Sequence, residues 1–185
     1  MSATEIKTSA TIPAGTYRLD PVHSSAGFAV KHMVVATFRG RFENFDATLT
    51  VDEDGSARLT GSVQVDSLEV KDENLKAHLM SPEFFDAELH PEVSFSTDSA
   101  SVTGSQVEFD GEITIKGVTR PAILTGTVVG PATDPYGNER YGLKLETTVD
   151  RTQFGIDWNA EMPDGTKALA DEVTLRADLS LVKAA

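Results

Sequence analysis

The stretch VEFDGEITI, residues 107–115, alternates without a fault: Val107, Phe109, Gly111, Ile113 and Ile115 hold the odd positions, Glu108, Asp110, Glu112 and Thr114 the even ones. In a β-strand successive side chains point to opposite faces, so a period of two gives the segment one apolar and one wet face. Asp110-Gly111 is a hairpin-turn dipeptide in other settings. Here the phase runs straight through it, and the segment reads as one strand. A sheet with one buried and one solvated face is an antiparallel sheet.

Working outward, VTLRADLSL (173–181) repeats the pattern, and YGLKLETTV (141–149) follows with Thr147 as the one polar residue on its apolar face. Phe45, Ala47, Leu49 and Val51 alternate with Asp46, Thr48 and Thr50, and Leu59, Gly61, Val63 and Val65 alternate with Thr60, Ser62 and Gln64. Turn signals separate the strands: DEDG (52–55), TGS (103–105), DPYGN (134–138) and PDG (163–165). Residues 1–14, rich in Ser, Thr and Ala, lack periodicity and read as a flexible leader to one domain over 15–185. One segment, KDENLKAHLMSPEFFDAELHP (71–91), breaks the period. Asp72 is placed to cap a helix with Leu75 and Leu79 on one face, and Ser81-Pro82-Glu83 to start a second one. This predicts a short helical insertion around residues 72–88. Eight or nine antiparallel strands around it predict an all-β closed barrel, because closure removes exposed strand edges; a two-sheet sandwich is the competing arrangement.

The charge balance is 16 Lys and Arg against 29 Asp and Glu, a net −13. That argues against nucleic acid and anionic lipid surfaces as partners, since both need clustered cations. There is no cysteine, hence no disulfide, thiolate nucleophile or Cys-ligated zinc. The N-terminal MSATEIKTSATIPAG has no basic region followed by an apolar run, and no run approaches the roughly 18 residues of a membrane helix. The expectation is a cytoplasmic protein without stable membrane insertion.

DPVHSSAGFAVKH, residues 20–32, brings Asp20, His23 and Ser24 close in sequence, the parts of a hydrolase triad. No G-x-S-x-G elbow accompanies them, and alternation from Ala26 puts Phe28, Val30 and His32 on one face. A hydrolase is therefore a minor alternative, with His23 expected to bond backbone at a barrel end. The four histidines, His23, His32, His78 and His90, show no i,i+2 or i,i+4 spacing, so no metal is expected, and His78 and His90 suit solvated or capping roles. Nor does glycine form a phosphate cradle. More informative are the nine Phe, several on apolar faces: Phe28, Phe42 or Phe45, Phe95 and Phe109. An eight-stranded barrel is either filled by side chains or hollow enough for one small ligand. Small inward residues such as Ala47, Gly61, Gly111 and Ala177 leave room for a guest. A fully packed barrel acting through its acidic surface is the rival picture.

With these segments on the page, the chain resembles the YceI-like family of lipocalin-like polyisoprenoid-binding proteins. The resemblance covers about residues 15–182 and rests on YRLDPVHSSAGFAVKHM (17–33), FRGRFENFDATL (38–49) and DSLEVKDENLKAHLMSPEFFDAELHPEVSF (66–95), then GEITIKGVTRP (111–121) and DRTQFGIDW (150–158). It implies an extended barrel around an apolar tunnel, often paired as a homodimer. It also implies non-enzymatic binding, storage or transport of an isoprenoid quinone or polyprenyl phosphate, or of a fatty acid or other amphiphile, with no cofactor beyond that lipid. Many members carry an export signal, which is not visible here. The expected tunnel wall is Phe28, Val30, Phe42, Val63, Val65, Phe95, Phe109, Ile113 and Ile115. Leu79, Phe84 and Phe85 should close one end, and His32, as a buried polar group, should meet the ligand head. Arg151 and Trp158 flank a chain reversal and read as structural first, mouth-lining second.

Overall fold

The computed structural model describes residues 12–185. The leader expected over 1–14 thus falls almost entirely outside the described residues, which begin with Ile12 packed against the core. Among the described residues eleven strands form one antiparallel sheet: β1 (Gly15–Leu19), β2 (Ser25–His32), β3 (Ala36–Phe42), β4 (Phe45–Val51), β5 (Ala57–Gln64), β6 (Leu68–Glu69), β7 (Glu92–Thr103), β8 (Gln106–Ile115), β9 (Val118–Thr133), β10 (Glu139–Asp150) and β11 (Leu169–Lys183). The sheet closes where β1 pairs with β11, with Tyr17 opposite Lys183 and Leu19 opposite Leu181. The sandwich is thereby set aside.

The eleven strands are eight staves, three of them bent. β1 and β2 both run antiparallel to β11, one after the other, and form one stave broken by a 3-10 turn at Pro21–His23. β4 pairs with β1 and β3 with β2, so β3 and β4 are the next stave, while β5 and β6 pair with β4 and β3 in turn. Side chains bind the bends. The Ser24 hydroxyl donates to the Asp20 carbonyl (2.6 Å) and accepts the Ser180 N–H (2.9 Å), pinning the first bend to β11. The Ser67 hydroxyl donates to the Gln64 carbonyl (2.7 Å) and accepts the Asn44 N–H (2.9 Å), tying the other two bends together.

β8 runs unbroken through Asp110-Gly111 with its odd positions buried, as its alternation predicts. The four turn signals are turns, with Gly55, Gly104, Gly137 and Gly165 all at positive φ. The helical insertion is shorter than expected. The helix α1 spans Glu73–Met80, capped by Asp72, whose carboxylate accepts the Leu75 N–H at 2.8 Å. Beyond it no second helix forms. Ser81 caps α1 at its C-terminus, its hydroxyl donating to the His78 carbonyl (2.6 Å). The Phe85 and Ala87 amides fold back to the Leu79 and Met80 carbonyls (3.0 Å each). Tertiary closure of α1 thus overrides a local helix-start signal. This insertion lies between β6 and β7, which do not pair with each other.

The interior has two packed regions. Tyr17, Leu49, Phe109, Leu143 and Leu181, all at most 1% exposed, fill one end of the barrel as a solid plug, with Tyr17 and Tyr141 edge to face at 5.5 Å. The other group gathers Phe42, Leu68, Leu79, Phe84, Phe154 and Ile156 around the opposite, hollow end.

Candidate functional site

Two cavities lie above the plug, and each strand passes from plug to cavity along its apolar face. On β11 the order is Leu181 and Leu179, then Ala177, Leu175 and Val173. A small cavity of about 140 Å³ sits directly on the plug, ringed by Ala26, Ala47, Gly61, Phe95, Ile113 and Ala177 from six strands. A larger one of about 510 Å³ opens above it, walled by β2, β3 and β11, by α1 and the turns after it, and by the 154–169 loop. Phe42, Val93 and Leu175 line both.

The expected wall residues divide between these spaces. Phe28, Val30, His32, Leu79, Phe84, Phe85 and Ile115 line the large cavity, Val63, Phe95 and Ile113 the small one, and Phe42 both. Two expected residues line neither. Phe109 is sealed in the plug at 1% exposure, and Val65 is buried in the 3-10 turn Val65–Ser67, where its strand has already ended. Gly111 leaves no cavity space either: a Cβ there would come within 2.1 Å of the Ser96 carbonyl oxygen, so its role is close strand approach beside the bulge at Thr97–Ser99.

His32 corrects a further expectation. It shares the face of Phe28 and Val30, but it is the last residue of β2, where the wall ends, and it is exposed at the cavity rim. His78 departs in the other direction. Far from being merely solvated or capping, it lines the large cavity, with its Nε2 2.6 Å from Glu83 Oε2 and its ring edge to face with Phe84 (4.9 Å) and Trp158 (4.8 Å). Alternation cannot register this box, because α1 and the 154–169 loop carry no period of two. Its only sequence signals were Phe84 and Trp158 themselves.

Arg151 serves as a clamp. Buried at 5% exposure, it donates to the carbonyls of Ala170, Ile156 and Trp158 (2.8 Å each) and, at 3.4 Å, to Leu169 and Asp171. Burial lowers its pKa, with Asp171 opposing, yet a guanidinium stays charged at any ordinary pH. Its five N–H donors hold the loop that carries Ile156, Trp158 and Ala168 over the cavity.

At the 20–24 bend, His23 Nδ1 meets Asp20 Oδ2 at 2.8 Å, a side-chain partner rather than the backbone one expected. The Ser24 hydroxyl is engaged by two backbone groups and not by His23. The three residues are brought together, but as a joint in the wall. Among the described residues no group of His, Asp or Glu has metal-binding geometry, and no helix is long and apolar enough to cross a membrane.

A closed antiparallel barrel, solid at one end and hollow and aromatic-lined at the other, defines a lipocalin-like protein. A model of the YceI-like domain matches residues 17–181, and the chain belongs to that family. Among its relatives, protein YceI of Escherichia coli O157:H7 is 27% identical over 147 residues, and a UPF0312 protein of Pectobacterium atrosepticum 29%, each match covering 77% of both chains. In structure the chain is similar to Burkholderia cenocepacia BcnA, with a TM-score of 0.75 at 19% identity over 88% of this chain and 98% of that one. It is also similar to a polyisoprenoid-binding domain from Saccharophagus degradans implicated in plant cell wall breakdown, with a TM-score of 0.62 at 12% identity over 91% and 98%.

Proposed function

We propose that the barrel binds a long isoprenoid lipid in its large cavity and holds or carries it without chemical change. The observation that carries this reading is a cavity of about 510 Å³ whose wall is almost wholly aliphatic and aromatic, built over a packed plug that closes its inner end. Burial is worth ~0.8 kcal/mol per CH₂, so an extended prenyl tail gains affinity along its whole length before ordering costs are subtracted. The similarity to a polyisoprenoid-binding domain supports the same ligand class. The engagement of Ser24 with backbone favours binding over hydrolysis.

The test is native mass spectrometry of gently purified protein from a quinone-rich host, followed by organic extraction and lipid analysis. An adduct that extracts as a prenylated molecule is the expected result. A clean unliganded mass, together with no uptake of added prenyl alcohols, defeats the proposal. A fatty-acid adduct alone also counts against the isoprenoid class.

A further inference from the structure

We propose that the small cavity is a tail-end subsite, and that Phe42 is the side chain that sets how long a chain the barrel accepts. The inference rests on the reading that the large cavity holds a prenyl lipid. Phe42, Val93 and Leu175 are the residues shared by the two cavities, so they form the waist between them. Of these, only Phe42 is aromatic and buried, at 5% exposure. Its ring packs on Phe28 and Phe85, with centroids 6.0 and 6.3 Å away. These contacts are apolar, so a rotation of the Phe42 ring breaks no hydrogen bond.

Beneath the waist, four small residues from four strands line the same space: Ala26, Ala47, Gly61 and Ala177. Larger side chains at any of them would fill the space. The space of about 140 Å³ continues from the large cavity at the waist, and its apolar lining lacks contacts on the empty side. An apolar cavity of about 150 Å³ stays dry and takes a guest the size of benzene. One isoprene unit, with five carbons, is of that size. With Phe42 across the waist, the chain ends in the large cavity. With Phe42 moved or shortened, about one further unit reaches the plug.

The experiment measures binding of all-trans prenyl alcohols of increasing length, from farnesol to solanesol, by competition in native mass spectrometry. Three proteins are compared: wild type, Phe42→Ala and Ala177→Leu. Phe42→Ala should move the preferred length up by about one unit and raise the long-to-short affinity ratio at least about tenfold, since burial of even two more methylenes is worth that much. Ala177→Leu, which fills the subsite and keeps the waist, should leave short chains unaffected and weaken the longest ones. Phe42→Leu guards against loss of fold in the alanine variant and should show a smaller shift in the same direction. Unchanged length profiles in folded variants overturn this inference and leave lipid binding standing. Failure of wild type to bind any member of the series instead removes the reading beneath it.

Discussion

Asp20 gathers three partners on one carboxylate. Oδ2 meets His23 Nδ1 at 2.8 Å and Arg140 Nη1 at 2.7 Å, and Oδ1 accepts the Val22 N–H at 3.1 Å. The His23 bond first, and then the Arg140 bond, hold its pKa down to about 2. A carboxylate with a depressed folded pKa adds stability above its unfolded value and loses it as pH falls through the folded one. Its contribution should therefore be complete above about pH 4 and gone near pH 2. Asp20→Asn should cost on the order of 1–2 kcal/mol at pH 7, and the gap to wild type should close over that acid window. Urea unfolding at a series of pH values checks this, and a gap independent of pH would refute it. Sequence proximity revealed that Asp20, His23 and Ser24 would be neighbours. It could not reveal Arg140, which arrives from β10 on the far side of β11, or that Ser24 would spend its hydroxyl on Ser180.

At the scale of elements, the β2–β3 hairpin ends in an unusual tip. Met33 and Val34 adopt φ of 50° and 63°, and Val34 and Val35 are 74% and 90% exposed. A left-handed conformation costs roughly 1–2 kcal/mol for a residue with Cβ and suits asparagine better than valine. Val34→Asn should raise stability by about 0.5–1 kcal/mol, read as a higher urea midpoint at unchanged slope, and a lower midpoint would show that valine packs there. The first strand of the hairpin was visible in the alternation up to His32. The tip was not, since Met-Val-Val carries no turn chemistry. The segment after α1 shows the opposite error, a strong Ser-Pro-Glu helix start that the tertiary fold uses as a C-cap and a set of turns. Local signals decide an element only when the surroundings agree with them.

For the whole molecule, the division into plug and cavity predicts uneven core energetics. Leu143 is fully buried in the plug, whereas Leu175 borders both cavities. Leu143→Ala should cost about 2–5 kcal/mol, because a packed neighbourhood cannot collapse into the gap. Leu175→Ala in lipid-stripped protein should cost only about 1–2 kcal/mol, as that side chain already has contacts missing on its cavity side. Chemical denaturation of the two variants decides it, and equal losses would mean that the upper barrel is as well packed as the lower.

Six strands with their inward faces (β2, β4, β5, β8, β10 and β11), the turns and the all-β class follow from the sequence alone, whereas closure rather than a sandwich was decided by the β1–β11 pairing. A period of two is a property of each backbone segment by itself, and VEFDGEITI needs no partner to show which face it buries. Which inward residues meet a cavity was decided only by the tertiary structure. Phe109 and Ile113 look alike in the pattern, yet one is plug and the other wall, because place in the barrel depends on register with strands distant in the chain. The cavity is likewise a sum over distant choices. Ala26, Ala47, Gly61 and Ala177 make a space only because closure brings them around one cavity, and His78 and Trp158 meet only because Arg151 anchors the loop across the mouth.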